Sequence, residues 1–155
     1  MAGKKILIVD YDTKSIESLS KLFEAYKIEV ITAQDGVVAY EKFKADEPDL
    51  VLLEAMLPRM HGFDLAQKIT HDTKGRVPVI IITAVYKGHQ YRNEALRTFG
   101  VSDYFEKPYD QDKLMNRVLS LIGEGGEIEE GLSEIPELPS PDSVIETLTE
   151  MLKKK

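Results

Sequence analysis

The sequence of 155 residues contains no cysteine and no tryptophan. The absence of cysteine excludes a disulfide-stapled scaffold, a thiolate metal site and a cysteine nucleophile. No apolar run approaches the roughly 18 residues that a membrane-spanning helix needs, and the N-terminus lacks the hydrophobic core of a signal peptide. We therefore expect a cytoplasmic protein that makes no contact with a membrane.

Several motifs of nucleotide-binding and hydrolytic enzymes are also missing. The sequence has no P-loop, no Gly-x-Gly-x-x-Gly and no Gly-x-Ser-x-Gly, which argues against a nucleotide enzyme and against a serine hydrolase. The three histidines, His61, His71 and His89, fall in different predicted elements and lack the spacing of metal ligands. We therefore expect neither a nucleotide enzyme nor a serine hydrolase, and no metal bound by histidine.

Acidic residues outnumber basic ones by 27 to 20, which gives a net charge of −7. This balance argues against nucleic acid as a partner. The excess lies almost entirely in residues 124–155, which carry nine acidic and three basic side chains. The charge distribution thus separates a nearly neutral domain, residues 1–123, from an acidic C-terminal segment.

The C-terminal segment is predicted to consist of a linker followed by a helix. Residues 124–140 are acidic and rich in glycine and proline, a composition typical of a solvated linker. Residues 141–155 begin with Pro141 and a Ser143-x-x-Glu146 capping pattern and carry an apolar stripe, which indicates an amphipathic helix. This helix can pack on its own domain, dimerise, bind a partner or begin an output domain, and the sequence leaves these alternatives open.

Within residues 1–123, five apolar runs alternate with segments of helical periodicity. The runs cover residues 5–10, 28–33, 49–54, 77–83 and 102–106. The first, third and fourth are almost continuously apolar, as in strands buried on both faces of a parallel sheet, whereas the other two are shorter or more polar, as in edge strands. The pattern predicts an α/β fold, a flavodoxin-like (βα)5 doubly wound parallel sheet with strand order 2-1-3-4-5.

In such sheets the functional crevice lies beyond the carboxyl ends of the central strands. The candidate residues at these ends are Asp10, Tyr11, Asp12, Glu54, Thr83 and Lys107. Carboxylates can hold a hard divalent cation, while hydroxyl and ammonium groups can bind phosphoryl oxygens. Chemistry involving a divalent cation and a phosphoryl group is therefore expected at this edge of the sheet.

Residues 4–122 resemble the receiver domain of bacterial two-component response regulators. Four motifs in order carry the resemblance: Ile-Leu-Ile-Val-Asp10, the run 49–54 with Met56-Leu-Pro58-Arg-Met-His-Gly62 behind it, Ile-Ile-Ile-Thr83-Ala84, and Asp103-Tyr104-Phe-Glu-Lys107-Pro108. Receivers accept a phosphoryl group from a histidine kinase on an aspartate at the end of the third strand, with Mg²⁺ as cofactor. The resemblance therefore implies a signalling module rather than an enzyme.

By position, the resemblance assigns a role to each candidate residue. Glu54 stands at the phosphoacceptor position, and Asp10 belongs to the acidic pocket that holds Mg²⁺. Thr83 and Lys107 would bind the phosphoryl group, with Tyr104 as the switch aromatic. The implied metal ligands are Asp10, Glu54 and the backbone carbonyl of Met56.

Two positions depart from the family pattern, and both lie in the implied site. The acceptor is Glu54 instead of aspartate, and the second acidic position is occupied by Tyr11. A glutamate carboxylate reaches about 1.5 Å further than that of aspartate, and an error of about 1 Å in positioning can cost roughly 100-fold in rate. Loss of a carboxylate ligand weakens Mg²⁺ binding. We therefore predict a degenerate pseudo-receiver with impaired phosphorylation and weak Mg²⁺ binding.

The sequence leaves several alternatives open. The Glu54 carboxylate can mimic the phosphorylated state by reaching Lys107 and Thr83, or the site can simply be inactive. Asp12 can replace the missing metal ligand, although we favour a role as cap of the first helix.

In the leading rival interpretation of the whole domain, Asp10, Asp12 and Glu54 still hold Mg²⁺ and the receiver is phosphorylated. A flavodoxin-like enzyme for a small phosphorylated ligand is least favoured, because no phosphate-binding loop follows the first strand.

The resemblance also implies partners. A histidine kinase or a downstream signalling protein is expected to bind the domain. Segment 85–93, with Lys87, His89 and Arg92, is a candidate partner surface, because receivers commonly use the face of the fourth helix and fifth strand. A homodimer is a further possibility, since receivers often associate through helices on one face.

Overall fold

The computed structural model describes residues 3–123, in which five strands alternate with five helices. In chain order these are β1 Lys5–Val9, α1 Thr13–Glu24, β2 Glu29–Ala33, α2 Gly36–Asp46, β3 Leu50–Glu54, α3 Gly62–Thr73, β4 Val79–Thr83, α4 His89–Arg97, β5 Asp103–Glu106 and α5 Gln111–Ile122. The predicted linker 124–140 and the predicted helix 141–155 lie outside the described residues.

The five strands form one parallel sheet in the order β2-β1-β3-β4-β5. The register places Ile8 of β1 beside Thr32 of β2 on one side and beside Leu52 of β3 on the other. This order confirms the predicted flavodoxin-like topology, and β2 and β5 are the edge strands, as their polar composition indicated.

The three central strands are almost completely buried because helices cover both faces of the sheet. Alternate residues of these strands enter two separate apolar clusters, as the two-residue period of a strand requires. Leu7, Val51 and Ile81 pack with residues of α2, α3 and α4, whereas Ile6 and Leu52 join the cluster that includes α1 and α5. Burial on both faces explains why these strands read as continuous apolar runs in the sequence.

Helices α1, α2 and α3 begin at the carboxyl edge of the sheet with a side-chain cap. Asp12 accepts a hydrogen bond from Lys14 N at 3.0 Å, and Asp35 accepts one from Val38 N at 2.8 Å. The cap of α3 is unusual, because His61 accepts the hydrogen bond from the first turn of this helix through its imidazole. These caps fix the helix starts around the edge where the candidate residues lie.

The fourth helix ends at Arg97, and Thr98 is its C-cap residue. Phe99 leaves the helix and packs its ring on Phe63 of α3, with 5.3 Å between the ring centroids. Gly100 then adopts φ +74°, a conformation that favours glycine. Among residues 3–123, no helix is both long and apolar enough to cross a membrane.

Gly62 allows α3 to begin directly against the end of β3. A Cβ atom at this position would lie 2.3 Å from the carbonyl oxygen of Glu54 and 2.6 Å from Ala55 Cα, both backbone atoms. Any larger residue must therefore displace the end of the strand that carries Glu54.

We predict that Gly62→Ala lowers the free energy of unfolding by about 3 kcal/mol, the upper part of the usual range for overpacking. Gly75→Ala is the matched control, because Gly75 has φ +79° but no atom within 4 Å of an added Cβ. The control should lose only about 1 kcal/mol from backbone strain. Urea denaturation measures both values, and equal losses would contradict the close-contact explanation.

Candidate functional site

The centre of the site is Lys107, which lies between two carboxylates. Its Nζ donates a hydrogen bond to Asp10 Oδ2 at 2.8 Å and lies 3.2 Å from Glu54 Oε1. Asp10 directly follows β1, Glu54 is the last residue of β3, and Lys107 directly follows β5. Three strand ends that are far apart in the sequence are thus joined by one ammonium group.

Both carboxylates are removed from solvent, with side-chain exposures of 6% for Asp10 and 1% for Glu54. Glu54 Oε2 accepts a hydrogen bond from Met56 N at 3.1 Å, and Asp10 Oδ1 accepts one from Asp12 N at 3.0 Å. Glu54 Oε1 is in ion-pair contact with Lys107, but the geometry is not that of a hydrogen bond, so this buried oxygen accepts none within the described residues. The buried Oε1 atom of Glu54 is therefore stabilised by the positive charge of Lys107 and not by a hydrogen bond.

The two carboxylates determine the protonation of Lys107. Burial by itself would lower the pKa of the ammonium, but the hydrogen bond to Asp10 and the negative charges of Asp10 and Glu54 outweigh it and raise this pKa above its ordinary value. Lys107 therefore remains charged throughout the neutral pH range. Within the described contacts, Lys107 is the one cation that pairs with these two carboxylates.

Asp12 and Tyr11 do not join this cluster. The Asp12 side chain is exposed, and its two oxygens accept hydrogen bonds from Lys14 N at 3.0 Å and Ser15 Oγ at 3.3 Å. It thus caps α1, the role favoured from the sequence, instead of supplying a carboxylate to the pocket. The Tyr11 side chain is 49% exposed at the surface.

Thr83 and Tyr104 are buried, and both form hydrogen bonds with the loop between β4 and α4. Thr83 Oγ1 accepts hydrogen bonds from Val85 N at 3.1 Å and Tyr86 N at 3.4 Å. The Tyr104 hydroxyl donates to the carbonyl oxygen of Tyr86 at 2.6 Å. Burial raises the pKa of Tyr104, and the charges of Glu106 and Glu54 raise it further, so the phenol stays protonated.

The donor set meets only part of what a Mg²⁺ site requires. Asp10 and Glu54 converge, but both contact Lys107, and the backbone N–H of Met56 already bonds Glu54. Within residues 3–123, no group of three or more acidic or histidine side chains is arranged to hold a metal ion. Mg²⁺ requires near-ideal octahedral geometry, and of the implied side-chain ligands Asp10 and Glu54 converge, each in contact with Lys107.

The basic residues of segment 85–93 differ in their availability. Lys87 and His89 are exposed. Arg92 is held on β5, because its guanidinium donates to Tyr104 O at 2.7 Å and to Asp103 Oδ1 at 3.3 Å. The candidate partner surface therefore presents fewer free charges than the sequence suggested.

Sequence reasoning missed the connection between His61 and Tyr86. His61 Nε2 lies 3.1 Å from the Tyr86 hydroxyl oxygen, which joins the loop before α3 to the loop before α4. The cap itself was not signalled by residue type, because N-cap residues are usually Ser, Thr, Asp or Asn. The contact of His61 with Tyr86, 25 residues later, had no local signal in the sequence.

Comparison with known proteins identifies the family. The family model described as the response regulator receiver domain matches residues 6–119. The chain therefore belongs to the response regulator receiver family. Receiver domains are modules of two-component signalling and are not in general enzymes, and they generally bind Mg²⁺ at the phosphorylation site.

Among curated proteins, similar relatives include PleD of Caulobacter vibrioides and CrdR of Helicobacter pylori. The chain is 38% identical to the response regulator PleD over 118 residues, which is 76% of this chain and 26% of PleD. It is 34% identical to the transcriptional regulatory protein CrdR over 115 residues, which is 74% of this chain and 53% of CrdR. The match thus spans about half or less of each of these relatives.

Solved structures give the same family. The receiver domain of the Francisella response regulator 1452 superposes with a TM-score of 0.72 at 28% identity and covers 79% of this chain and 99% of that one. A chain of the CheX–CheY–BeF3–Mg²⁺ complex from Borrelia burgdorferi gives a TM-score of 0.70 at 30% identity, covering 77% and 89%.

We predict that Lys107→Met lowers the free energy of unfolding by about 3 kcal/mol, because it leaves two buried carboxylates without their shared cation. Adding Glu54→Gln should recover much of this loss by removing one of the two charges. Lys42→Met is the matched control, since the contact of Lys42 Nζ within residues 3–123 is one hydrogen bond to Thr32 O, and its loss should cost about 1 kcal/mol. Chemical denaturation of the four proteins measures these values, and a Lys107 variant no less stable than the control would refute the shared-cation account.

Proposed function

We propose that this receiver domain is a pseudo-receiver that signals through protein–protein contacts and is impaired as a phosphoryl acceptor. The observation that carries this proposal is the direct contact between the Glu54 carboxylate and Lys107 at 3.2 Å. In the family, the lysine at this position binds the phosphoryl group. Here the carboxylate of Glu54 lies beside that lysine, where the phosphoryl group would bind.

The length of the glutamate side chain supports impaired phosphorylation. Because glutamate has one methylene more than aspartate, its carboxylate extends about 1.5 Å further, and in Glu54 it extends as far as Lys107. The other oxygen of Glu54 is bonded to Met56 N. In-line phosphoryl transfer requires a well-placed attacking oxygen, whereas one oxygen of Glu54 faces the Lys107 ammonium and the other accepts from Met56 N.

Weak Mg²⁺ binding follows from the same site. Tyr11 stands at the second acidic position of the family pattern, and the side chain of Asp12 caps α1. Asp10 and Glu54 would be left to hold the ion, in competition with Lys107. We therefore propose that Mg²⁺ binds this domain more weakly than it binds receivers with a complete acidic pocket.

Glu54 imitates only part of a phosphorylated aspartate. Its carboxylate neutralises Lys107, as a phosphoryl group would, whereas the Thr83 hydroxyl accepts hydrogen bonds from the loop that follows β4. Tyr104 is nevertheless buried and bonded to that same loop. We propose that the domain offers its partner, a histidine kinase or a downstream signalling protein, a surface that does not depend on phosphorylation.

A working receiver is the second candidate function. Membership of the family and the convergence of Asp10 and Glu54 at one edge of the sheet favour it. It requires Lys107 to release Glu54 and Mg²⁺ to take its place. The two candidates differ in one measurable respect, which is whether the protein gains a phosphoryl group.

We predict that the wild-type protein gains no phosphoryl group when incubated with acetyl phosphate and Mg²⁺, as measured by intact mass. The double variant Tyr11→Asp/Glu54→Asp restores both family residues and should gain a hydroxylamine-sensitive phosphoryl group under the same conditions. A stoichiometric adduct on the wild type would favour the working receiver. An inert double variant would show that other residues disable the site.

A second prediction concerns Mg²⁺ alone. Titration followed by amide chemical shifts should show no saturable binding to the wild-type protein in the low millimolar range, because the donor set is incomplete. Tyr11→Asp should gain saturable shifts around residues 10–12 and 54–56, since it supplies the missing carboxylate. Tyr26→Asp adds the same charge at another exposed tyrosine and is the control. Equal Mg²⁺ binding by wild type and Tyr11→Asp would refute this assignment.

A further inference from the structure

His61 is bonded on both sides of its imidazole ring. Its Nδ1 accepts a hydrogen bond from Phe63 N at 3.1 Å, which caps α3, and its Nε2 lies 3.1 Å from the Tyr86 hydroxyl. In the neutral ring one nitrogen is a donor and the other an acceptor. Because Nδ1 is the acceptor, the proton belongs on Nε2, which therefore donates to the Tyr86 oxygen.

Tyr86 connects His61 with the buried aromatic of β5. Its hydroxyl meets His61, and its backbone carbonyl accepts the hydrogen bond from the Tyr104 hydroxyl. Its ring packs on Phe63 and Tyr91, with centroid distances of 5.2 and 5.3 Å. A continuous set of contacts thus runs from the start of α3 through the β4–α4 loop to β5 and α4.

The start of α4 depends on this loop. Its N-cap residue is Gly88, which supplies no side-chain cap, and Gly88 N donates instead to Glu106 Oε2 at 2.8 Å. Thr83 bonds the first half of the loop through Val85 N and Tyr86 N. Among the described hydrogen bonds of this loop, that of His61 joins it to the start of α3, where the Tyr86 ring also packs on Phe63.

We propose that His61 is a positioning residue that holds the β4–α4 loop, and with it Tyr104, in place without a phosphoryl group. The inference rests on the proposed function, because it explains how a domain impaired in phosphorylation keeps an ordered output surface. In this mechanism the loop is held by a hydrogen bond from the Nε2–H of His61 to Tyr86. The surface that follows, at the start of α4, is then constant in shape for a partner protein.

Two single variants remove this hydrogen bond from opposite ends. Tyr86→Phe deletes the hydroxyl but keeps the ring and the carbonyl that accepts from Tyr104. His61→Asn deletes the contact with Tyr86 but keeps a side-chain acceptor suited to the cap of α3. Tyr40→Phe is the matched control, because the Tyr40 hydroxyl bonds Asp72 between α2 and α3, away from this loop.

The measurement is amide hydrogen exchange of residues 84–92, together with the ring resonances of Tyr104 in the tyrosine-labelled protein. Each single variant should exchange about fivefold faster in this segment, the factor expected for one hydrogen bond of ordinary net strength. The Tyr104 resonances should shift in both variants. The double variant should exchange no faster than either single one, because both remove the same contact. The control should leave the segment and Tyr104 unchanged.

Several outcomes would overturn the proposal. These are unchanged exchange in Tyr86→Phe, additive effects in the double variant, or an increase spread evenly over all five strands, which would indicate a general loss of stability. The test uses unphosphorylated protein, so its result does not depend on the mass measurement described above. Phosphorylation of the wild type would refute the proposed function. The role of His61 would still be decided by the amide hydrogen exchange of residues 84–92.

Discussion

The contact of Lys107 with Asp10 and Glu54 is the interaction on which the site depends. Two buried carboxylates at neighbouring strand ends repel each other, and a single ammonium makes their burial acceptable. The parallel sheet creates this requirement, because it brings the ends of β1, β3 and β5 to one edge. Both the stability of this edge and its chemistry follow from the same three side chains.

Around this cluster, side-chain bonds join the loops at the carboxyl edge to one another. Arg59 pairs with Asp35 at 3.3 Å, which links the loop before α3 to the start of α2. His61 and Tyr104 then bond the loop before α4 from two directions. Together these side-chain bonds connect the loops before α2, α3 and α4 to one another and to β5.

Much of the fold was predictable from the sequence, because the relevant signals are local. Continuous apolar runs such as 49–54 marked the central strands, and Asp12 before an amphipathic segment marked a helix start. Arg92 was expected to be a surface charge, but it bonds β5 through a contact that only the tertiary structure provides.

The sequence by itself determined the fold class, the family resemblance and the two departures at Tyr11 and Glu54, because each depends on residue type and spacing along the chain. Only the tertiary structure decided which atoms meet. It placed Glu54 on Lys107, held Arg92 on β5 and joined His61 to Tyr86. The physical reason is that these contacts form between residues on different elements, or depend on side-chain direction, and neither is encoded in local periodicity.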